Sequence, residues 1–333
     1  MLIIGCDFHP SGQQVFAVDS ETGEVIASRW IEHRGSEVRE FYAGLKGQVV
    51  VGVESSGNML WFERLVKELG HELWSGDPAK IRRADERRQK HDRRDAELMA
   101  RLMLEKRFPR LAWVPSLEER DLRQLLLHRH KMVRLRAQVK CQLQHIAMNQ
   151  GMQKKRALWS EAGRAWLTAV KLEPWTARRR DDLLKLLEDL DEQVKGLDAE
   201  VAKAANCNPR ARRLMTVSGV GPVISLAMVL TVGDVSRFAN SRKLVSYLGL
   251  NPSEESSGER RRTGSISKQG SGFLRMLLVQ GAQTASRTDP AWKRQYARLA
   301  VKKHRGTAKV MIARKLAVRL YWLLRTIDAQ QSS

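Results

Sequence analysis

The 333-residue sequence predicts an α/β N-terminal third, a helical middle and a mostly α-helical last third. Three observations carry that expectation. Strand-like and helix-like apolar patterns alternate through the first hundred residues, a heptad seam runs from Leu183 to Ala204, and helical spacing of apolar residues returns after Leu214. Leu2 to Cys6 is a short apolar strand. Gln13 to Asp19 and Val25 to Ile31 follow, separated by the turn Glu21-Thr22-Gly23, so the three read as an antiparallel meander. Val38, Phe41 and Leu45 mark one face of a helix. Val49-Val50-Val51-Gly52-Val53 is a continuous apolar run, the pattern of a parallel strand covered on both faces. Asn58 to Leu69 reads as a helix closed by Gly70, Glu72 to Trp74 as a strand, and Arg93 to Lys106 as a helix carrying Ala96, Leu98, Met99, Leu102 and Leu104. Domain boundaries are expected at 1–112, 113–205 and 206–333.

Charge narrows the class of partner. Lys and Arg number 59 against 37 Asp and Glu, a formal net charge of +22, which calls for a polyanion. The longest apolar stretch, Val217 to Gly233, is interrupted by Gly219, Gly221 and Pro222, too broken for a spanning helix of ~20 residues, so no membrane is expected. Cys6, Cys141 and Cys207 lack paired ligand spacing, and no secretory leader precedes the first strand. Disulfides, a zinc knuckle and export therefore lose support, and a cytoplasmic, nucleoid-associated protein handling nucleic acid is the expectation.

Acids fall at particular places in the strand order. Asp7 directly follows the first strand, Glu54 directly follows the Val-rich strand, and Asp92 and Asp95 open the last helix of the first third. Residues three apart share a helix face, so Asp92 and Asp95 can both look at the strand ends. Four carboxylates brought together repel unless a divalent cation neutralises them, and an all-oxygen set suits Mg²⁺, with Mn²⁺ as a substitute. Two such ions ~4 Å apart can stabilise the attacking and leaving oxygens of a phosphoryl transfer. Taken singly, each acid is equally a turn residue or, for Asp92, a helix cap. Cys6 reads as strand core and His9 as a surface residue.

The middle segment reads as two helices. Leu117 to Met148 carries Leu122, Leu125, Met132, Val139, Leu143 and Ile146 at helical spacing, opposite a basic face. Leu183, Leu187, Leu190, Val194, Leu197, Val201 and Ala204 form a strict a/d seam, which can pair within the chain or with a second subunit. Trp159, Trp166 and Trp175 are expected to pack the junction between the helices. In the last third, Leu214 to Pro222 leads into Val223 to Val232 as a helix, glycine-containing turn and helix. Such a turn lets backbone N–H groups approach phosphates, although a purely structural αα-hairpin has the same pattern. From Arg237 to Arg325 there are 20 Lys or Arg against Glu254, Glu255, Glu259 and Asp289. The loop between Leu250 and Phe273 is rich in serine and cations. A serine hydroxyl there can attack phosphorus while Arg260, Arg261, Arg262 and Lys268 stabilise the phosphorane oxygens. The loop chemistry alone does not choose among Ser253, Ser256, Ser257, Ser265 and Ser267.

Gly5-Cys6-Asp7, Val53-Glu54-Ser55-Ser56-Gly57 and Lys90-His91-Asp92-Arg93-Arg94-Asp95-Ala96 resemble the DEDD signature of the bridge-RNA-guided insertion-sequence transposases, the IS-one-ten family. Leu248-Gly249-Leu250-Asn251-Pro252, Ser257-Gly258 and Gly264 to Gly270 with Leu274-Arg275 resemble the C-terminal serine domain of the same family. The flanks depart from it at His91, where Thr is usual, and at Ser55-Ser56-Gly57, where Thr-Gly is common. The resemblance implies an RNase H-like (RuvC-like) α/β N-terminal domain, a helical coiled-coil insertion associated with assembly, and a mostly α C-terminal domain. It implies Asp7, Glu54, Asp92 and Asp95 as Mg²⁺ ligands, Ser257 as nucleophile with Ser256 one residue away, and Arg260, Arg261, Arg262, Lys268 and Arg275 as nucleic-acid contacts. It further implies donor and target DNA, a structured noncoding bridge RNA and a homo-oligomer, dimer or tetramer, as partners. The implied activity is transposition through a phosphoserine intermediate. A metal-dependent junction nuclease that uses water and a non-catalytic nucleic-acid scaffold are the alternatives.

Overall fold

Strand β1 (Leu2–Phe8) sits in the middle of a five-stranded mixed sheet of order β3-β2-β1-β4-β5. The computed structural model describes residues 1–84, 92–111, 113–152, 157–254 and 263–331, and these divide into two units, Met1–Val114 and Pro115–Ser333. In the first unit β2 (Gly12–Asp19) and β3 (Val25–Glu32) extend β1 as the expected antiparallel meander. After α1 (Glu37–Ala43), β4 (Val49–Glu54) joins the other side of β1 in parallel, and after α2 (Leu60–Glu68), β5 (Glu72–Gly76) joins β4 in parallel. The short α3 (Pro78–Ala84), absent from the sequence reading, and α4 (Asp92–Leu104) complete the unit.

Both faces of the central strands are covered, which is why β4 reads as an unbroken apolar run. On one face Ile4, Cys6, Val51 and Val53 pack with Val38, Tyr42, Phe62 and Val66 of α1 and α2. On the other, Ile3 and Val50 pack with Leu98, Met99, Leu102 and Met103 of α4. Cys6 is fully buried, as expected, and its Sγ donates to Gln13 Oε1 while Gln13 Nε2 donates to the Tyr42 hydroxyl.

The second unit begins at α5 (Leu117–Asn149), whose start is a capping box: Ser116 Oγ accepts from the Glu119 N–H, and Glu119 Oε2 accepts from the Ser116 N–H. After α6 (Glu161–Ala169), α7 (Pro174–Cys207) returns antiparallel to α5, as the ion pairs Arg129–Asp198 and Arg136–Asp191 show. The heptad seam therefore has a partner within the chain. Leu187 and Leu190 bury against Val139, Leu143 and Ala147, while Val201 and Ala205 bury with Leu126 nearer the other end. Trp159 and Trp166 pack against this core as expected. Trp175 does not: at the first turn of α7 it is 86% exposed.

The chain then forms α8 (Pro209–Leu214), α9 (Pro222–Val232), α10 (Ser241–Tyr247), the hairpin strands β6 (Pro252–Glu254) and β7 (Thr263–Ile266), α11 (Gly272–Thr288), α12 (Pro290–Lys302) and α13 (Arg305–Gln331). Helix α9 is apolar around nearly its whole circumference because α7, α8, α5 and α11 surround it. Gly219, in the turn before α9, has φ of 82°, and a Cβ there would collide with the Gly281 carbonyl oxygen of α11. The glycine in this turn is thus accounted for by close packing. Among the described residues no helix is long and apolar enough to cross a membrane.

Candidate catalytic site

The pairing of β1 with β4 ends at Cys6 opposite Val53, so Asp7 and Glu54 are the next residues on two adjacent parallel strands, at their C-terminal ends. Strand alternation places Asp7 on the face of Ile3 and Gly5, and Glu54 on the face of Val50 and Gly52. Helix α4 covers that face at very short range. A Cβ at Gly5 would collide with the Ala96 carbonyl oxygen and the Ala100 nitrogen, and one at Gly52 with the Met103 sulfur. Gly5 lets the helix backbone lie almost on the sheet, and Gly52, its partner on the neighbouring strand, leaves room for the Met103 side chain. The first turn of α4, immediately before Ala96, is where Asp92 and Asp95 stand, so the same contact that seats the helix brings its acidic end to the strand ends.

The tightest grouping of side chains includes one the sequence reading had placed on the surface. His9 follows Asp7 by two, on the same side of the extended chain, and its Nε2 lies 3.0 Å from Asp7 Oδ2 and 3.7 Å from Asp92 Oδ2. Ligand atoms of Asp7, His9 and Asp92 all fall within 4.8 Å of one another, the spacing of groups that can close on one cation. The side chain of Asp7 is 15% exposed and that of Asp92 48%, so the cluster has a buried floor and an open side. Glu54 and Asp95, both half-buried, are not part of this triad; Glu54 ends the strand beside Asp7, and Asp95 stands on the same first turn of α4 as Asp92. Two carboxylates and an imidazole are a suitable donor set for a divalent ion. A histidine two residues after a strand-end aspartate was the signal available in the sequence. Its second partner, Asp92, comes from a distant segment.

The remaining predicted residues are placed as follows. Ser256, Ser257, Arg260, Arg261 and Arg262 lie outside the described residues, as does His91 of the acidic motif. Lys268 is exposed, with φ of 56°, and its backbone N–H donates to the Gly249 carbonyl. Arg275, on the first turn of α11, donates through Nη1 to the carbonyls of Leu248 and Gln269, fastening the two ends of the serine loop to one helix. The loop's stem is the β6–β7 hairpin, in which Ser253 Oγ donates to the Ser265 carbonyl.

Comparison with known proteins finds two family models that match this chain. Residues 4–150 match the family model of the DEDD transposases of the IS110 type, and residues 211–297 match the model described as the transposase IS116/IS110/IS902 family. A probable family 20 transposase of Pseudomonas aeruginosa is 28% identical over 96% of both chains. The transposase for insertion sequence element IS1111A of Coxiella burnetii is 27% identical over 86% of this chain and 78% of its own. The transposase for insertion sequence element IS1328 of Yersinia enterocolitica is 25% identical over 83% and 84% respectively.

Proposed function

Because the chain belongs to the IS116/IS110/IS902 transposase family, and is thereby a DNA-cleaving recombinase, we propose that it exchanges DNA strands at a metal site built on Asp7, Glu54, Asp92, Asp95 and His9. The observation that carries this reading is the meeting of Asp7, His9 and Asp92 within 4.8 Å, beside Glu54, at the C-terminal strand ends. Mg²⁺ is the ion we assign, with Mn²⁺ as substitute. When bound, it supplies charge neutralisation at the scissile phosphate. Asp7 and Asp92 hold it from two elements, and His9 orients Asp7 by donating through Nε2 when the site is not engaged.

Ser257 is the proposed nucleophile. Its Oγ attacks phosphorus, the Oγ–P bond forms as the P–O3′ bond breaks, and the serine proton ends on the departing 3′ oxygen. The product is a phosphoserine adduct and a free 3′ hydroxyl for exchange. Arg260, Arg261, Arg262 and Lys268 are positioned in sequence to offset charge on the phosphorane oxygens. Arg275 joins them in the reading as the residue that holds the loop ends. Donor and target choice is assigned to base pairing with a structured noncoding bridge RNA, whose A-form backbone the net charge of +22 suits. Assembly into a dimer or tetramer completes the proposal, with the α5–α7 pair as the assembly element.

The test is to trap protein on end-labelled donor DNA after denaturation. The reading expects an adduct that requires Mg²⁺ or Mn²⁺ and is lost in Ser257→Ala and in Asp7→Ala. Free ends without adduct indicate a nuclease that uses water, and metal-independent behaviour unaffected by Asp7→Ala indicates a binding scaffold.

A further inference from the structure

The row of residues that carries the acids continues across the sheet to a tryptophan. Trp30 of β3 pairs with Gln14 of β2, and Gln14 pairs with Asp7 of β1. Directly opposed residues of antiparallel strands share a face, so Trp30, Gln14 and Asp7 look the same way, with Glu54 on the next strand. The indole lies over Gly12, where a Cβ would collide with its six-membered ring. It also stands 5.9 Å, centroid to centroid, from the ring of His9, the residue whose Nε2 reaches Asp7. An aromatic ring is therefore fixed in place one side chain away from the cation-binding cluster.

Burial in the core does not explain this ring. Trp30 belongs to neither hydrophobic cluster of its unit and remains 41% exposed, although its neighbour in sequence Ile31 is 1% exposed in the core. A large, rigid, half-open π face beside a phosphate-processing site suits a nucleobase, since every base has a face to stack and none needs a specific hydrogen bond. Cations for the flanking phosphates are at hand: Arg93 and Arg94 are exposed on the first turn of α4, between Asp92 and Asp95.

We propose that Trp30 is a stacking platform for one unpaired nucleobase of the DNA strand that is cut at the Asp7–His9–Asp92 cluster, an inference that rests on the strand-cleaving reading given above. The base next to the scissile phosphate leaves its helix and lies on the indole, which holds the phosphate in register with the acids. Stacking of this kind is indifferent to base identity but depends on a base being present.

The experiment uses the full chain, without divalent cation, and a fluorescent forked DNA whose single-stranded arm carries one abasic nucleotide, moved along the arm in successive probes. Wild-type protein is expected to lose about 10-fold in affinity at one abasic position, the scale of a single stacked base. Trp30→Ala is expected to bind the intact fork about 10-fold more weakly than wild type and to lose nothing further at that position, while Trp30→Tyr retains most of the affinity. A wild-type scan that is flat along the whole arm overturns the proposal without reference to any variant. So does Trp30→Ala retaining the wild-type sensitivity at the same position. Cleavage of the same DNA with Mg²⁺ or Mn²⁺, compared between wild type and Asp7→Asn, separates the two ideas. Asp7-dependent cleavage with a flat scan removes the stacking role alone, whereas cleavage indifferent to Asp7 removes the underlying reading and the stacking role with it.

Discussion

His9 and Asp7 meet side chain to side chain, imidazole Nε2 to carboxylate Oδ2 at 3.0 Å, and Asp92 approaches the same nitrogen at 3.7 Å from the start of α4. If His9 ligates the proposed ion, the ligand set is mixed rather than oxygen-only. Nitrogen donors favour the later first-row ions over hard Mg²⁺. His9→Ala is therefore expected to weaken Mn²⁺ binding by about 10-fold, the scale of losing a supporting metal-site group, and Mg²⁺ binding by less. Calorimetric titration with each ion checks this, and equal losses for the two ions speak against a nitrogen ligand.

Gly5 is the place where the sheet admits α4. Gly5→Ala puts a methyl group into the Ala96 carbonyl and the Ala100 nitrogen, both backbone atoms that cannot rotate away. The helix must lift, taking Asp92 and Asp95 from the strand ends. Overpacking of this kind costs about 1–3 kcal/mol. The expected outcome is a lowered thermal midpoint together with lost cation binding. Val53→Ala, on the opposite face, is expected to lower the midpoint while sparing binding.

The α5–α7 pair separates packing from charge. Leu187→Ala, at a position 1% exposed, is expected to cost about 2–5 kcal/mol in chemical denaturation. Asp198→Asn, which removes the partner of Arg129 on a side chain 47% exposed, is expected to cost no more than about 1 kcal/mol. The reverse ranking contradicts an intrachain apolar seam.

The three cysteines differ in access. Cys6 is fully buried and its thiol pushed far up in pKa by that burial, whereas Cys141 and Cys207 are exposed. Native protein at neutral pH is expected to react at Cys141 and Cys207 with an alkylating reagent, and at Cys6 only after denaturation. Mass spectrometry of the labelled peptides reads the result directly.

Much of this was legible before any coordinates because it depends on short-range pattern. Alternation and apolar runs announce β1 to β5, and an acid directly after an apolar strand marks a strand end whatever the rest of the chain does. The remainder depends on partners distant in sequence. The Leu187–Leu190 seam states that a helix has an apolar stripe, but only the fold says that Val139 and Leu143 cover it. The Gly219 turn fits phosphate approach and a structural αα-hairpin alike in the sequence, and only the fold places Gly281 of α11 against it. His9 stands two residues from Asp7, but its second partner, Asp92, reaches it only once α4 docks on Gly5. Trp175 is expected to pack the junction and stands exposed, since irregular aromatic spacing does not say which neighbours the fold supplies.

Residues from β1 and from α4 are proposed to hold one divalent cation between them. Mn²⁺ titration of the full chain, followed by the loss of the free-ion electron paramagnetic resonance signal, decides whether they do. One saturable site is expected in wild type and strong loss of it in both Asp7→Asn and Asp92→Asn, variants on separate elements whose acids meet only around His9 and the proposed ion. Undiminished Mn²⁺ uptake in either variant contradicts the claim.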